Sequence, residues 1–204
     1  PTTLDQQYVL EGFNTFNKNQ YTDFWLMLGD NAYDDGTIAQ YQNAIFNQYP
    51  DLLKQSPLWP AMGNHDNRTA KVATQTGGFY DLFSTPTNAE AGGAPSGHKA
   101  YYSFDYGNVH VVVLNSADAL HNQLSGPMDE WLEDDLANTN ADWRLAIFHH
   151  APYGKGGHDS DTERDLIRMR ENFLPILEKH GVDLVMAGHN HFYTRTTLIS
   201  NHYG

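Results

Sequence analysis

The sequence predicts a layered α/β domain built on mixed sheets. Three observations carry that expectation. Short apolar runs alternate with stretches of helical periodicity along most of the 204 residues. One hairpin signal interrupts the alternation. Four polar clusters each stand directly after an apolar run, where ligand sites form at the strand ends of α/β sheets.

The elements follow in order. Tyr8, Val9, Leu10, Phe13 and Phe16 give residues 5–18 an apolar helical stripe, with Asp5 read as its N-cap. Residues 23–28 are a short apolar strand, followed by the loop GDNAYDDG at 29–36. Ile38, Tyr41, Ile45 and Tyr49 predict a helix over 37–49, stopped by Pro50. Residues 57–62 are a second short strand leading into Gly63-Asn64-His65-Asp66. Residues 67–99 are rich in Gly, Thr, Ala and Pro and read as a long irregular excursion. Strands over 100–104 and 109–114 are joined by Asp105-Tyr106-Gly107-Asn108, good turn chemistry for a hairpin. Pro127 opens an acidic helix over 127–137, and residues 145–148 form a buried strand ending at His149-His150. Ser160 and Glu163 have capping-box spacing, Pro175 should kink or split the helix they open, and His180-Gly181 should end it. Residues 182–187 are a strand followed by Gly188-His189-Asn190-His191, and a last strand is expected over 192–199.

Composition narrows the function classes. A 40% apolar and 13% aromatic content describes a globular chain of one domain. The net charge of −13, with no basic stripe, argues against a nucleic-acid backbone as partner. A phosphate would also be repelled unless bound cations reversed the local field. There is no cysteine, which excludes disulfides and thiolate zinc sites. No apolar run approaches the ~20 residues of a membrane span.

The polar clusters offer Asp, Asn, His and Tyr, oxygen and imidazole ligands suited to zinc, iron or manganese. Three aspartates in one short loop repel one another unless water or a cation screens them. Strand alternation turns His149 and His150 to opposite faces, so at most one of them should reach a shared site. His189 and His191, two apart, share a face on an extended segment.

Gly29-Asp30-x-x-Tyr33, Gly63-Asn64-His65-Asp66, Ile147-x-x-His150 and Gly188-His189-x-His191 resemble the motifs of calcineurin-like metallophosphoesterases. The tyrosine after the aspartate resembles the purple acid phosphatase branch, and the likeness covers nearly the whole chain. It implies a four-layer α/β/β/α sandwich of two mixed sheets flanked by helices. It also implies a dinuclear metal centre, Fe(III) plus Zn, Mn or Fe(II), that hydrolyses small phosphate monoesters. Asp30 would bridge the ions. Tyr33 and His191 would serve the first ion, and Asn64, His150 and His189 the second. Water activated by the metals would attack phosphorus while His65 assists the leaving group and Asp66 orients the His65 ring. His158 reads either as the substrate-contacting histidine of the family or as an exposed loop histidine. Arg195 reads as a phosphate contact or a structural ion pair. Asp34 and Asp35 have no family role and read as loop solubility or supporting contacts.

The family's first motif, an aspartate on the opening strand, has no match here, because Asp5 lacks the required following residues. The expectation is a catalytic domain spanning 1–204 that lacks its first strand and continues beyond both ends. Weak occupancy by the first ion follows from that. The resemblance also implies a secreted or periplasmic setting. A phosphodiesterase or nucleotide hydrolase on the same core, or an inactive metal-binding fragment, are the competing readings.

Overall fold

A computed structural model describes residues 4–18 and 20–204; Pro1 lies outside them. Two sheets pack face to face, with helices on both outer sides. The first sheet is a parallel pair, β1 (Trp25–Met27) against β2 (Leu58–Pro60), with Trp25 opposite Leu58. The second has the order β3 (Tyr102–Tyr106), β4 (Val109–Val113), β5 (Trp143–His150), β6 (Leu184–Gly188). β3 and β4 form the predicted hairpin, and β4, β5 and β6 run parallel.

Side-chain alternation along β4 and β5 sorts residues between two cores. Val111, Val113 and Ile147 turn toward the first sheet, where they meet Leu26, Leu28 and Trp59. Trp59 stacks on Phe104 at 3.9 Å with an 8° interplanar angle, locking the two sheets together. Val112, Leu114, Ala146 and Phe148 face the other way, onto the outer helical layer.

The helices are α1 (Leu4–Asn17), α2 (Ile38–Tyr41), α3 (Pro50–Leu53), α4 (Gly78–Leu82), α5 (Pro127–Asn138), α6 (Arg164–Arg168) and α7 (Leu174–Lys179). Met128, Leu132 and Leu136 of α5 and Leu174, Ile176 and Leu177 of α7 cover the second sheet. Tyr41, Phe79 and Tyr80, from α2 and α4, cover the first. The layering matches the α/β/β/α expectation.

Local differences have identifiable causes. Pro50 begins α3 instead of merely ending the preceding helix, since proline is preorganised for the first turn. Asp5 lies inside the first turn of α1, not at its cap, and there still complements the helix dipole. No residue of α1 is buried, and Tyr8, Val9 and Phe16 of its apolar stripe are well exposed. Pro175 does split its helix: a π-helical turn (Met169–Phe173) separates α6 from α7. The capping box does not form. Glu163 is the N-cap of α6, and the Ser160 hydroxyl accepts from the Gly154 N–H instead. Residues 192–199 are not a strand, because no neighbouring strand offers them ladder bonds.

Candidate metal centre

The loops following β1, β2, β5 and β6 meet at one edge of the sandwich. Backbone geometry brings them close. Asp30 has φ 50°, and a Cβ on Gly63 would stand 2.1 Å from the Asp30 nitrogen, so only glycine admits this approach. Asp66 fastens the first two loops. Fully buried, it accepts bonds from the Asn31 N–H (3.1 Å), Asn31 Nδ2 (3.0 Å), the Gly63 N–H (2.8 Å) and the Tyr41 hydroxyl (2.5 Å).

Asp66 therefore does not orient the His65 ring. That ring donates from Nδ1 to the Asp34 carbonyl at 2.6 Å and packs on Tyr33 with centroids 4.4 Å apart. The carboxylate of a residue adjacent to His65 is turned inward because the 3-10 turn starting at Asp66 points it at the preceding loop. Asp34 acts through its backbone, and Asp35 pairs with Arg68 at the surface.

The β5 histidines both stand at the site: His149, His150 and His189 each offer a ring nitrogen, and these lie within 4.8 Å of one another, a group that could hold a metal ion. His149 keeps the parity of Leu145 and Ile147 and faces the first sheet. Its Nδ1–H donates to the Leu28 carbonyl at 2.8 Å, which leaves Nε2 pointing inward. That Nε2 stands 3.2 Å from Asp30 Oδ2, 3.1 Å from Asn64 Oδ1 and 3.2 Å from His189 Nδ1. His150 is braced from behind by Ser116 while its ring stays beside those of His149 and His189. The Ser116 hydroxyl accepts the backbone N–H groups of both His149 (3.2 Å) and His150 (3.0 Å), so its own proton is directed to His150 Nδ1 at 2.9 Å. A β-bulge between Phe148 and His150 accommodates this arrangement. His150 still packs its ring on His189, with centroids 4.5 Å apart.

Asp30 Oδ2, Asn64 Oδ1, His149 Nε2 and His189 Nδ1 thus converge, with a His150 ring nitrogen in the same group. A single proton satisfies one or two of them; a cation satisfies all. The donor set suits a borderline divalent ion. Burial, the largest influence, holds His150 down to about 2 and His189 to about 4, helped by the charges of neighbouring histidines. Neutral imidazoles are the ligating form. Burial alone would raise Asp30, but the His65 N–H and, when both ring nitrogens of His149 carry protons, the hydrogen bond and charge of that ring outweigh it and hold Asp30 far below the carboxylate range.

The same Asp30 Oδ2 also accepts the Tyr33 hydroxyl at 3.0 Å, and that hydroxyl lies 3.2 Å from His191 Nε2. Burial and the Asp30 charge push the Tyr33 phenol well above its ordinary range, a field that a bound cation reverses. This half is more open, with His191 exposed.

The remaining candidates fall as follows. His158 is not a free loop histidine. Its ring lies on His189 with centroids 3.6 Å apart, and its Nδ1–H donates to Glu163 at 2.8 Å. Arg195 is exposed and joins no ion pair among the described residues. Sequence reasoning missed the roles of Ser116 and Glu163, and that His149 joins the cluster alongside His150. Strand parity counted from Ile147 could have found His149. Ser116 carried no signal, and Glu163 was hidden by a capping pattern.

Residues 5–193 match the family profile described as calcineurin-like phosphoesterase. Among curated relatives, an uncharacterised protein of Mycobacterium tuberculosis is 28% identical over 190 residues, covering 85% of this chain and 34% of its own length. Purple acid phosphatase 23 of Arabidopsis thaliana is 30% identical over 155 residues, 74% of this chain and 32% of its own. Purple acid phosphatase 7 of the same plant is 26% identical over 216 residues, 92% of this chain and 60% of its own. The chain thus spans about a third of the length of the first two relatives.

Proposed function

The chain belongs to the calcineurin-like phosphoesterase family, and from that premise we propose that it is a metal-dependent hydrolase of phosphate monoesters, of purple acid phosphatase type. The observation that carries the reading is the convergence of Asp30, Asn64, His149, His150 and His189, with Tyr33 and His191 reaching the same carboxylate. Asp30 would be shared by two ions, with Asn64, His189 and the His149–His150 pair holding one, and Tyr33 and His191 the other. The ions would supply Lewis acidity, lowering the pKa of water and neutralising phosphate charge. Iron with zinc, manganese or a second iron suits these donors. The Tyr33 side has fewer ligands from this chain and should release its ion first on chelation. A secreted or periplasmic setting comes with the resemblance; no helix among the described residues is long and apolar enough to cross a membrane.

His65 serves the leaving group. Its Nδ1 proton is committed to the Asp34 carbonyl, so Nε2 gives a proton only from the doubly protonated ring. Tyr33 and the Asp34 carbonyl fix the ring plane, so no search for orientation precedes transfer.

The test combines elemental analysis of the purified chain with turnover of an aryl phosphate monoester and the matching diester. Bound metal and a faster monoester rate support the reading; a faster diester rate would move the chain to the phosphodiesterases. His65→Ala should bind metal normally and lose ~10²–10⁴-fold in monoester turnover. Unchanged turnover would remove His65 from the chemistry.

A further inference from the structure

We propose that Glu163 is a positioning residue of the metal centre. One carboxylate would fix the His189 imidazole with its proton on Nε2 and hold the His158 ring against it, so that His189 presents the Nδ1 lone pair inward. The inference rests on the metal-centre reading above.

The geometry is specific. His189 follows β6 with φ 67°, a backbone setting that aims its side chain into the cluster from the strand end. Its two ring nitrogens face different neighbours. Nδ1 stands 3.2 Å from His149 Nε2, among the converging acceptors. Nε2 stands 3.4 Å from Glu163 Oε2, a group that can only accept. A neutral imidazole carries one proton, and the nitrogen facing the carboxylate is the one that holds it. Nδ1 is then a lone pair directed at the place where a cation would sit. A carboxylate behind a ligating histidine fixes the tautomer and strengthens the ligand.

Glu163 is itself held in place. Its Oε1 accepts the Asp159 N–H at 2.9 Å, and Oε2 accepts the His158 Nδ1–H at 2.8 Å. Asn190 Oδ1, from the loop between His189 and His191, accepts the His158 N–H at 3.1 Å. The loop after β5 and the loop after β6 are thereby joined through one carboxylate and one amide. His158, with Nδ1 engaged, keeps Nε2 for a substrate oxygen. Glu163 therefore links the alignment of a ligand to that of a substrate-side ring.

The experiment uses the whole chain with ¹⁵N-labelled imidazoles. In the wild type, NMR should show the proton of His189 on Nε2 before metal is added. Glu163→Gln preserves the size of the side chain and an acceptor for the Asp159 N–H but leaves one acceptor oxygen where there were two. It should give a tautomer mixture at His189 and ~10–100-fold weaker binding of Zn²⁺ in a chelator competition. A wild-type proton on Nδ1, or Zn²⁺ affinity within threefold of wild type in Glu163→Gln, would overturn the inference. The wild-type NMR result stands even if the variant fails to fold. Wild-type chain that shows the Nε2 proton yet takes up no Zn²⁺ would overturn the metal-centre reading, and the positioning role with it, on a separate signal.

Discussion

Asp66 offers the most direct test of how the two metal-binding loops are held together. Asp66→Ala removes a buried carboxylate that accepts from four donors: two on Asn31, one on the Gly63 backbone and the Tyr41 hydroxyl. Each stranded donor costs ~1–3 kcal/mol, and partial relaxation or water entry brings the sum to about 3–5 kcal/mol. Asp66→Asn is a different perturbation. The three N–H donors all meet Oδ2, so an amide oxygen there keeps them. The amide NH₂ then faces Tyr41, whose hydroxyl can rotate to accept. That variant should stay within about 1 kcal/mol of wild type. Urea unfolding of the metal-free chain measures both. At a slope of ~2–3 kcal/mol/M, the alanine variant should lower the midpoint by about 1–2 M and the asparagine variant by less than about 0.5 M. Equal losses in the two variants, or an alanine midpoint at the wild-type value, would refute the account of Asp66 as the clasp between these loops.

Three further outcomes are expected. Gly63→Ala should abolish high-affinity Zn²⁺ binding in isothermal titration, because its Cβ would stand 2.1 Å from the Asp30 nitrogen and 2.3 Å from Asp30 Oδ1. Burial, with a smaller push from His98, holds His121 down to about 3, so the fold stores it neutral. Its folded pKa is depressed, so its contribution is present above ~6.5 and is lost as pH falls toward the folded value, at up to ~1.4 kcal/mol per unit; His121→Gln should flatten the acid limb of stability against pH. His110 has the opposite sign: burial would lower it, but bonds to Asp135 (2.7 Å) and Asp105 (2.6 Å) raise it. That contribution is present below ~6.5 and lost as pH rises through the folded pKa, and His110→Phe, which leaves the buried Asp135 Oδ2 without its His110 partner while Oδ1 keeps the Ala94 N–H and the Ser103 hydroxyl, should cost ~3–5 kcal/mol near pH 6 in urea unfolding.

Much of the fold was readable because its signals are local. The β-branched run Val109-His110-Val111-Val112-Val113, the Gly107-Asn108 turn and Pro127 each encode their element within a few residues. The polar loops after the strands were readable for the same reason, since glycine and Asp, Asn or His after an apolar run is a local pattern. What failed depends on contacts between distant segments. Strand parity predicts that at most one of His149 and His150 reaches the site, but a bulge between Phe148 and His150 brings both rings to the cluster with His189, and Ser116, more than thirty residues earlier, braces that end of the strand. Ser160 and Glu163 have the right spacing for a cap, yet the pull of His158 and His189 on Glu163 takes the pair apart. Asp66 follows His65 in sequence but belongs to Asn31 and Tyr41 in space. Phe192 and Leu198 read as strand residues but remain exposed, because a strand also requires a partner edge.

The hydroxyl of Ser116 that takes both backbone amides at the end of β5 also sets how this region breathes. Strand ends normally fray, and their amides exchange with solvent at little free-energy cost. Here the His149 and His150 amides are buried and capped from another strand's terminus, so their exchange should require opening of the second sheet as a whole. His191 lies at the other end of that scale, exposed on a segment without ladder bonds. The two halves of the centre therefore differ in local opening free energy. Any slow ordering on ligand uptake should be confined to the Tyr33–His191 half, while the His149–His189 half moves only when the protein unfolds.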